Sequence, residues 1–255
     1  MQSVHAIFVT GTAGSGKSLL TSRLLEWYKN NNAFAVALNL DPGAVNLPYE
    51  PSVDVRDYID INTIMESYAL GPNGALIMAS DIIATKLDEI QNEVDSINPD
   101  YVIVDTPGQL ELFAYRASGP FFISNFRCDE RATLFLFDGT LVSSPANFVS
   151  IALLTTSIRL RLGAPQVNVL SKTDLVQEKL KTVLSWSSNI TLLEQAIAGE
   201  KDSETYLLSM ELLKTAVKGG VSLGLLAVSS ESMDGMINLA AALGRIFKMG
   251  EEVED

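Results

Sequence analysis

A glycine-rich loop near the start of the chain has the residue types and spacing needed to hold phosphate groups. Residues 11–18 read GTAGSGKS and fit the pattern G-x-x-x-x-G-K-[ST] at every defined position. Glycines let backbone N–H groups crowd around phosphate oxygens, and a helix that starts here adds the positive end of its dipole. Lys17 would supply a point charge to the outer phosphates, and the Ser18 hydroxyl suits Mg²⁺, which keeps most of its waters. The residues predicted to bind nucleotide are Gly11, Gly14, Ser15, Gly16, Lys17, Ser18 and Leu19.

A second segment, VIVDTPGQLE at 102–111, has the composition expected of the partner of such a loop. Asp105 ends an apolar strand and would hold Mg²⁺ through a water, while the amide of Gly108 would sense the γ-phosphate. Gln109 and Glu111 follow at positions suited to orienting water. The motif D-x-x-G is weak when it is alone, because Asp ends many strands, but downstream of a phosphate loop it is a strong indication of a metal and γ-phosphate site.

Asp41 ends the second apolar strand, in the segment LNLDPGAVNLPYEP at 38–51. A carboxylate at this position could order the attacking water or a magnesium-bound water. An Asp-Pro pair is equally typical of a turn that ends a strand. The residue types alone leave both interpretations open.

The segment NVLSKTDL at 168–175 indicates which base is read. In the pattern [NT]-K-x-D, the Asp accepts hydrogen bonds from N1–H and the exocyclic amine of guanine, a pair of donors that adenine lacks. Lys172 and Asp174 match this pattern, and the Lys172 stem can lie against the base, but Ser171 stands where Asn is usual. The segment AVSSES at 227–232 weakly resembles the loop that closes over the base. The sequence therefore favours guanine, with a polar strand end as the alternative.

Short apolar runs alternate with segments of helical periodicity along the chain. The predicted strands are 4–10, 34–40, 101–105, 132–138, 166–170 and 223–229, and the predicted helices are 17–30, 145–162 and 233–248. Strands that are apolar on both faces and separated by helices are typical of a parallel sheet covered on both sides. We therefore expect an α/β fold of the P-loop NTPase type, with a mostly parallel sheet and helices on both faces.

Two helical insertions interrupt this alternation. Residues 61–97 carry apolar residues at helical spacing on either side of Gly-Pro-Asn at 71–73, which predicts a long helical hairpin. Residues 175–220 are polar with helical periodicity and are predicted to form a lobe beside the sheet. We expect residues 1–255 to form a single domain that includes both insertions.

The charge and cysteine content limit the functions to be considered. The chain contains 18 Lys and Arg against 31 Asp and Glu, a formal net charge of −13, which disfavours general electrostatic attraction to nucleic acid or an anionic membrane. Cys128 is the single cysteine, so no intrachain disulfide can form, in keeping with a reducing cytoplasm. No apolar run reaches the roughly 18 residues of a membrane span, and the N-terminus lacks the basic region of a signal peptide. We expect a cytoplasmic protein with no membrane association.

Gly-Pro-Asn at 71–73, considered alone, is best explained as a helix breaker. Considered with the complete phosphate loop, LDP at 40–42, DTPGQLE at 105–111 and SKTD at 171–174, it resembles the signature of the GPN-loop GTPases. These five motifs occur in the order of that family, and the resemblance runs from about residue 5 to residue 248. The family belongs to a dimeric class of nucleotide-activated P-loop proteins.

The resemblance implies a homodimeric, Mg²⁺-dependent GTPase that binds GTP and GDP. The catalytic positions it implies are Asp41, Asn73, Gln109 and Glu111. Asn73 would project from one protomer into the nucleotide site of its partner, and the other three would arrange the attacking water. Gly71 permits unusual backbone angles, and Pro72 suits the start of the next helix.

The resemblance also implies a nucleotide-driven conformational switch or assembly factor. Eukaryotic members are linked to RNA polymerase assembly, which implies a protein client such as RNA polymerase or another assembly. The chain has no long C-terminal extension of the kind seen in those members, so it looks more like a compact archaeal homodimer.

Three other functions are compatible with the sequence. An ATPase of the same dimeric class would keep the phosphate chemistry and change only the base. A P-loop kinase would use residues 175–220 as an acceptor-binding lid, but such lids usually carry several arginines and this segment has none. A nucleotide-switched binding module would hydrolyse its nucleotide only incidentally.

Overall fold

The computed structural model describes residues 3–198, 203–219 and 223–251. Its strands are β1 (His5–Gly11), β2 (Ala35–Asn39), β3 (Val53–Asp54), β4 (Tyr101–Asp105), β5 (Glu130–Asp138), β6 (Gln166–Ser171) and β7 (Leu225–Ala227). Its α-helices are α1 (Lys17–Asn30), α2 (Ile61–Tyr68), α3 (Pro72–Thr85), α4 (Leu87–Ile97), α5 (Leu110–Ala114), α6 (Ser118–Asn125), α7 (Pro145–Leu162), α8 (Gln177–Ser188), α9 (Ile190–Ala198), α10 (Ser203–Lys218) and α11 (Met236–Glu251). None of the helices described is long and apolar enough to cross a membrane.

Within the described residues, seven strands form one parallel sheet in the order β3-β2-β4-β1-β5-β6-β7. β1 lies between β4 and β5, with Val9 opposite Asp105 and Gly11 opposite Leu136. Because the strands are parallel, their carboxyl ends meet at one edge of the sheet, which is where open α/β sheets bind ligands. This architecture confirms the predicted α/β fold.

Apolar side chains pack on both faces of the sheet. Along β1, Ala6 and Phe8 belong to one layer and Ile7 and Val9 to the other, and all four are completely buried. Side chains from α3, α4, α6 and α7 complete the first layer, and side chains from α1 and α11 complete the second. This two-sided burial is why the strand sequences are apolar throughout rather than alternating.

All six predicted strands and all three predicted helices are present. Helices α1 and α7 have the predicted bounds, whereas β7 is shorter than expected and α11 begins three residues later, at Met236. Strand β3 and helices α5 and α6 were not predicted from the sequence. These elements contain 2, 5 and 8 residues, too few for a periodic pattern to stand out.

The insertion at 61–97 contains three helices, so the predicted hairpin of two helices is wrong. Helices α2 and α3 lie on either side of Gly71, but the second predicted helix is interrupted at Lys86, where φ is −93° and ψ is 5°. The sequence does not reveal this break because the buried positions keep helical spacing across it. These positions are Ala79, Ile83, Leu87, Ile90 and Val94.

Gly-Pro-Asn forms the exposed start of α3. Gly71 caps the helix with φ −74° and ψ 170°, so the expectation of unusual backbone angles at this glycine is wrong. These are extended angles that other residues also adopt. Pro72 is the first residue of the helix, as predicted. Pro72 is therefore the residue that restricts the backbone at the start of α3, whereas the backbone conformation at position 71 does not require a glycine.

The segment at 175–220 contains α8, α9 and α10, which confirms its predicted helical character for the residues described. Val183 of α8 and Leu193 of α9 are completely buried, and α10 packs against α7. Residues 199–202 and 220–222 lie outside the described residues. The lobe is thus anchored to the helical layer on one face of the sheet.

Candidate functional site

The predicted phosphate loop follows β1 and leads directly into α1. Gly16 has a left-handed backbone (φ 95°, ψ 22°) immediately before the helix begins, a conformation that glycine adopts without steric penalty. The amide of Ser15 donates to the carbonyl of Thr12 at 3.2 Å and closes the loop. Ser15 is buried, and its Oγ has no hydrogen-bond partner among the described residues. One strand–loop–helix turn therefore carries all the residues predicted to bind phosphate: Gly11, Gly14, Ser15, Gly16, Lys17, Ser18 and Leu19.

The Lys17 ammonium lies inside this loop rather than in solvent. Its Nζ donates to the carbonyls of Gly11 and Thr12, both at 3.0 Å, and the residue is 6% exposed. Burial lowers the pKa of Lys17, while the negative charges of Asp105 and Asp41 oppose that shift. A cation held in a poorly solvated loop attracts a phosphate group more strongly than it would in water.

Asp105 ends β4 and is almost completely buried, at 1% exposure. Its Oδ2 accepts a hydrogen bond from the Tyr49 hydroxyl at 2.9 Å, whereas its Oδ1 is buried without a hydrogen-bond partner among the residues described. Burial raises the pKa of Asp105, and the hydroxyls of Ser18 and Tyr49 partly offset this effect. A buried oxygen of this kind suits a donor such as a water bound to Mg²⁺, because that ion keeps several waters. Ser18 and Asp105 therefore fit a magnesium site.

Asp41 connects the end of β2 to the loop that follows β4. Its Oδ1 accepts from the amide of Gly43 at 2.9 Å, a contact typical of an Asp turn. Its Oδ2 accepts from the amide of Gly108 at 3.1 Å. The carboxylate thus shapes the Asp-Pro turn and also reaches the amide that was predicted to sense the γ-phosphate.

A network behind Asp41 was not identified from the sequence. Asn39, which is completely buried, accepts from the Asp41 amide and donates to Asp54 at 2.9 Å. Asp54 forms an ion pair with Arg56 at 2.6 Å, and Arg56 donates to the carbonyl of Ala44 at 3.0 Å. The loop from Asp41 to Ala44 is therefore held at both ends. The feature of the sequence that could have indicated this network is Asn39, a polar residue at the end of an otherwise apolar strand.

Replacing Asp54 with asparagine is expected to lower the free energy of unfolding by about 2 kcal/mol at neutral pH, because Arg56 loses a charged partner. Burial disfavours the ionised form of Asp54, but hydrogen bonds from Arg56 and Asn39 outweigh this effect and lower its pKa. A carboxyl group with a lowered pKa contributes stability above its unfolded value, about 3.9, and loses that contribution as the pH falls through the folded value. The difference between wild type and variant should therefore shrink in acid.

Urea unfolding of both proteins at neutral and acidic pH measures this difference. Asp88→Asn is the matched control, since the Asp88 side chain is 93% exposed and its surface contact contributes little. A difference between wild type and Asp54→Asn that stays constant from neutral to acidic pH would contradict the ion-pair explanation.

The segment predicted to read the base is connected to the phosphate loop. Ser171 Oγ donates to the carbonyl of Ser15 at 2.8 Å, so the residue that replaces the usual Asn still ties the two segments together. Lys172 forms a 2.7 Å ion pair with the carboxylate that ends β5. Ser229, in the loop after β7, donates to Asp174 Oδ1 at 2.7 Å. The weakly predicted 227–232 loop therefore contacts Asp174, the carboxylate that was predicted to read the base.

A cavity of about 210 Å³ opens between the phosphate loop and the loops that follow β2 and β4. It is bordered by Ala13 of the phosphate loop, by Asp41, by Gly108 and Gln109, and by Leu76 of α3. Gln109 is exposed at the start of α5. A cavity between the phosphate loop and these residues has the location expected for an outer phosphate and an attacking water.

Two of the predicted catalytic residues are not placed in this cavity. Asn73 is exposed near the start of α3, one turn before Leu76, and does not line the cavity. The backbone of Glu111 lies in α5, but its side chain lies outside the described part of the structure. A single chain therefore brings together Lys17, Ser18, Asp41, Asp105, Gly108 and Gln109, and leaves Asn73 facing outward.

A parallel α/β sheet with a phosphate loop at the end of its central strand and a buried carboxylate at the end of the neighbouring strand defines a P-loop nucleotide-binding protein. A family model described as "Conserved hypothetical ATP binding protein" matches residues 9–249. On the strength of this match and of the relatives that follow, the chain belongs to the family of GPN-loop GTPases.

The similar proteins carry that family name. The chain is 32% identical over 240 residues to the GPN-loop GTPase QQT2 of Arabidopsis thaliana, covering 92% of this chain and 62% of that protein. It is 36% identical over 178 residues to a GPN-loop GTPase of Pyrococcus abyssi, covering 69% of each. The crystal structure of a GTPase in apo form from Pyrococcus abyssi matches with a TM-score of 0.85 and 28% identity over 97% of this chain and 98% of that one. The chain spans 62% and 52% of the length of two curated relatives, from Arabidopsis thaliana and Saccharomyces cerevisiae.

Proposed function

We propose that this chain is a cytoplasmic, homodimeric, Mg²⁺-dependent GTPase that converts GTP and water to GDP and phosphate, with residues 1–255 acting as one P-loop domain. The observation that carries the choice of guanine is the contact between Ser171 and Ser15. It places Asp174, with Ser229 beside it, on a segment attached to the phosphate loop. A carboxylate there can accept both guanine donors, and adenine would leave it unpaired. The names of the relatives agree with this proposal.

Lys17 and the backbone of the phosphate loop would bind the phosphates. The Lys17 ammonium is already oriented by two carbonyls, so little ordering is needed when an anion binds. Ser18 and, through a water, Asp105 would hold Mg²⁺, which supplies positive charge to the outer phosphates. These residues stabilise charge and hold the γ-phosphate in position for attack.

Asp41, Gln109 and Glu111 would position the nucleophile. Water attacks the γ-phosphorus in line with the bond to the β–γ bridging oxygen, and that bond breaks as GDP leaves. Asp41 and Gln109 border the same cavity, which supports a shared role in orienting the water. Since no added arginine enters this scheme, we expect the intrinsic turnover to be slow.

Calorimetry with GTP and ATP, each with Mg²⁺, tests the choice of base. The family description refers to ATP, whereas the relatives are named GTPases, so an ATPase of the same dimeric class is the second candidate. We expect tighter binding and faster phosphate release with GTP. A preference for ATP would remove the proposed role of Asp174.

Asn73→Ala is expected to slow GTP hydrolysis about a hundredfold while GTP affinity is largely kept, because a positioned amide acts mainly on the reacting phosphate. The outward position of Asn73 at the start of α3 suits a residue that acts in a second protomer. Phosphate release measures the rate of hydrolysis, calorimetry measures GTP affinity, and oligomer mass shows whether the dimer is kept. Asn92→Ala, at another exposed helical position, is the matched control.

Mixed dimers test the action of Asn73 across the interface. A dimer of Asn73→Ala and Lys17→Met protomers contains one complete site, made of Lys17 from the first protomer and Asn73 from the second. Co-expression should therefore restore hydrolysis to a rate well above that of either variant by itself. A mixture no more active than its separate components would contradict the proposed role, as would unchanged turnover in Asn73→Ala.

We further propose that GTP hydrolysis changes the conformation of the dimer, because loops bound to the γ-phosphate relax after its loss. A protein client, such as RNA polymerase or another assembly, would read that change. Pull-downs with protein locked in the GTP or GDP state test the switch. Identical partners in both states would favour a binding module whose hydrolysis is incidental.

A further inference from the structure

The hydroxyl of Tyr49 contacts the carboxylate at the centre of the predicted metal site, and no sequence motif pointed to this residue. Tyr49 Oη donates to Asp105 Oδ2 at 2.9 Å, and Asp105 Oδ1 is left buried without a partner among the described residues. We propose that Tyr49 is a positioning residue for the metal site, which holds Asp105 so that Oδ1 receives a water of hydrated Mg²⁺. This inference rests on the proposed magnesium-dependent function.

Tyr49 is held in place by contacts on both sides of it in the chain. The carbonyl of Pro48 accepts from Ser22 Oγ of α1 at 3.0 Å. The amide of Ser52 donates to the carbonyl of Ala37 in β2 at 2.9 Å. Helix α1 also begins with Lys17 and Ser18, so the tyrosine is tied to the same rigid element as the phosphate loop. Its position is therefore set by the scaffold rather than by a freely moving loop.

The two oxygens of Asp105 are made different by this arrangement. Oδ2 is occupied by the hydroxyl of Tyr49, which donates to it at 2.9 Å. Oδ1 is a buried acceptor that receives no hydrogen bond from the described residues. Partners that hydrogen-bond a metal-binding carboxylate orient it and typically contribute 10- to 100-fold to metal affinity or activity. The geometry thus assigns one oxygen to the tyrosine and the other to the metal-bound water.

The test is the magnesium dependence of nucleotide affinity in Tyr49→Phe, which removes only the hydroxyl. Calorimetry with GDP or ADP, whichever binds wild type more tightly, is run with excess Mg²⁺ and with EDTA. We expect the gain in affinity that magnesium gives to wild type to fall about tenfold in the variant, and affinity in EDTA to be unchanged. Tyr115→Phe is the matched control, since it removes the same atom and a 2.8 Å hydrogen bond to Ser157 on the surface.

Three outcomes would overturn the proposal. The first is an unchanged effect of magnesium on nucleotide affinity in Tyr49→Phe. The second is a larger effect, which would mean that Tyr49 covers the metal position. The third is an equal loss of nucleotide affinity with and without magnesium, which would mean that Tyr49 only supports the loop. Ser22→Ala, which loosens the Pro48 anchor, should reduce the magnesium effect in the same direction and serves if Tyr49→Phe does not fold. A preference for ADP would contradict the guanine proposal while leaving this test intact.

Discussion

Replacing Lys17 with methionine is expected to slow GTP hydrolysis about a thousandfold and to weaken GTP binding, because it removes the charge that we propose binds the outer phosphates. The ammonium is held by the carbonyls of Gly11 and Thr12 at 3.0 Å, so its position is fixed by the loop itself. Methionine keeps an unbranched apolar stem in the same space and has no charge. Phosphate release at saturating GTP and calorimetry of GTP binding measure the two effects.

Lys86→Met is the control for this substitution. Lys86 pairs with Glu89 at 2.7 Å on the surface, where ion pairs contribute little, so hydrolysis should not change. Thermal unfolding of Lys17→Met measured without added nucleotide should stay close to wild type, because burial of the ammonium is itself unfavourable and lowers its pKa. A folded Lys17→Met protein that hydrolyses GTP at the wild-type rate would refute the assignment of the phosphate loop.

Replacing Gly235 with alanine is expected to lower the free energy of unfolding by about 3 kcal/mol, the sum of backbone strain and a steric clash. Gly235 has φ 83°, and an added Cβ would lie 2.0 Å from the carbonyl oxygen of Ala227. Relief requires movement of β7 or of the start of α11, because the obstacle is backbone. The loop between these elements carries Ser229, which donates to Asp174, so guanine nucleotide affinity should fall as well. Urea unfolding and GDP calorimetry measure the two consequences.

Gly163→Ala separates the contribution of backbone strain from that of the steric clash. Gly163 also has a left-handed backbone, with φ 66°, but apart from its chain neighbours no atom of the described residues lies within 4 Å of an added Cβ. This variant should therefore lose only about 1 kcal/mol and keep its GDP affinity. Equal losses of stability at the two positions would show that the contact with Ala227 adds nothing.

The framework of the fold was predictable where apolar patterns are long and bounded by clear signals. Helix α7 has a proline at its start and a left-handed Gly163 at its end, and its predicted bounds are confirmed. Strand β1 is apolar on both faces, and it is the central strand between β4 and β5. The phosphate loop was identified because its chemistry depends on neighbours in the sequence, which a short motif records completely.

Features that depend on distant contacts could not be predicted in this way. Tyr49 reaches Asp105 across 56 positions of sequence, and Ser171 reaches the carbonyl of Ser15 across 156. Asp54 and Arg56 are an ordinary pair in the sequence, and their role follows only from the meeting of β2 and β3. The break between α3 and α4 at Lys86 was missed for a local reason, because the apolar pattern keeps helical spacing across it.

The carboxylate of Asp41 already accepts a hydrogen bond from the N–H of Gly108, the donor that we propose contacts the γ-phosphate. Two negatively charged acceptors compete for this single donor, and the Coulomb repulsion between them disfavours sharing it. GTP would have to displace the Asp41 carboxylate from the Gly108 amide, because its γ-phosphate would take the same donor. GDP could bind while the hydrogen bond between Asp41 and Gly108 still joins the loops that follow β2 and β4. Competition between Asp41 and the γ-phosphate for the Gly108 amide would then help the protein to distinguish GTP from GDP. The stability of the contact between Asp41 and Gly108 would determine how readily the protein leaves its GDP-bound form.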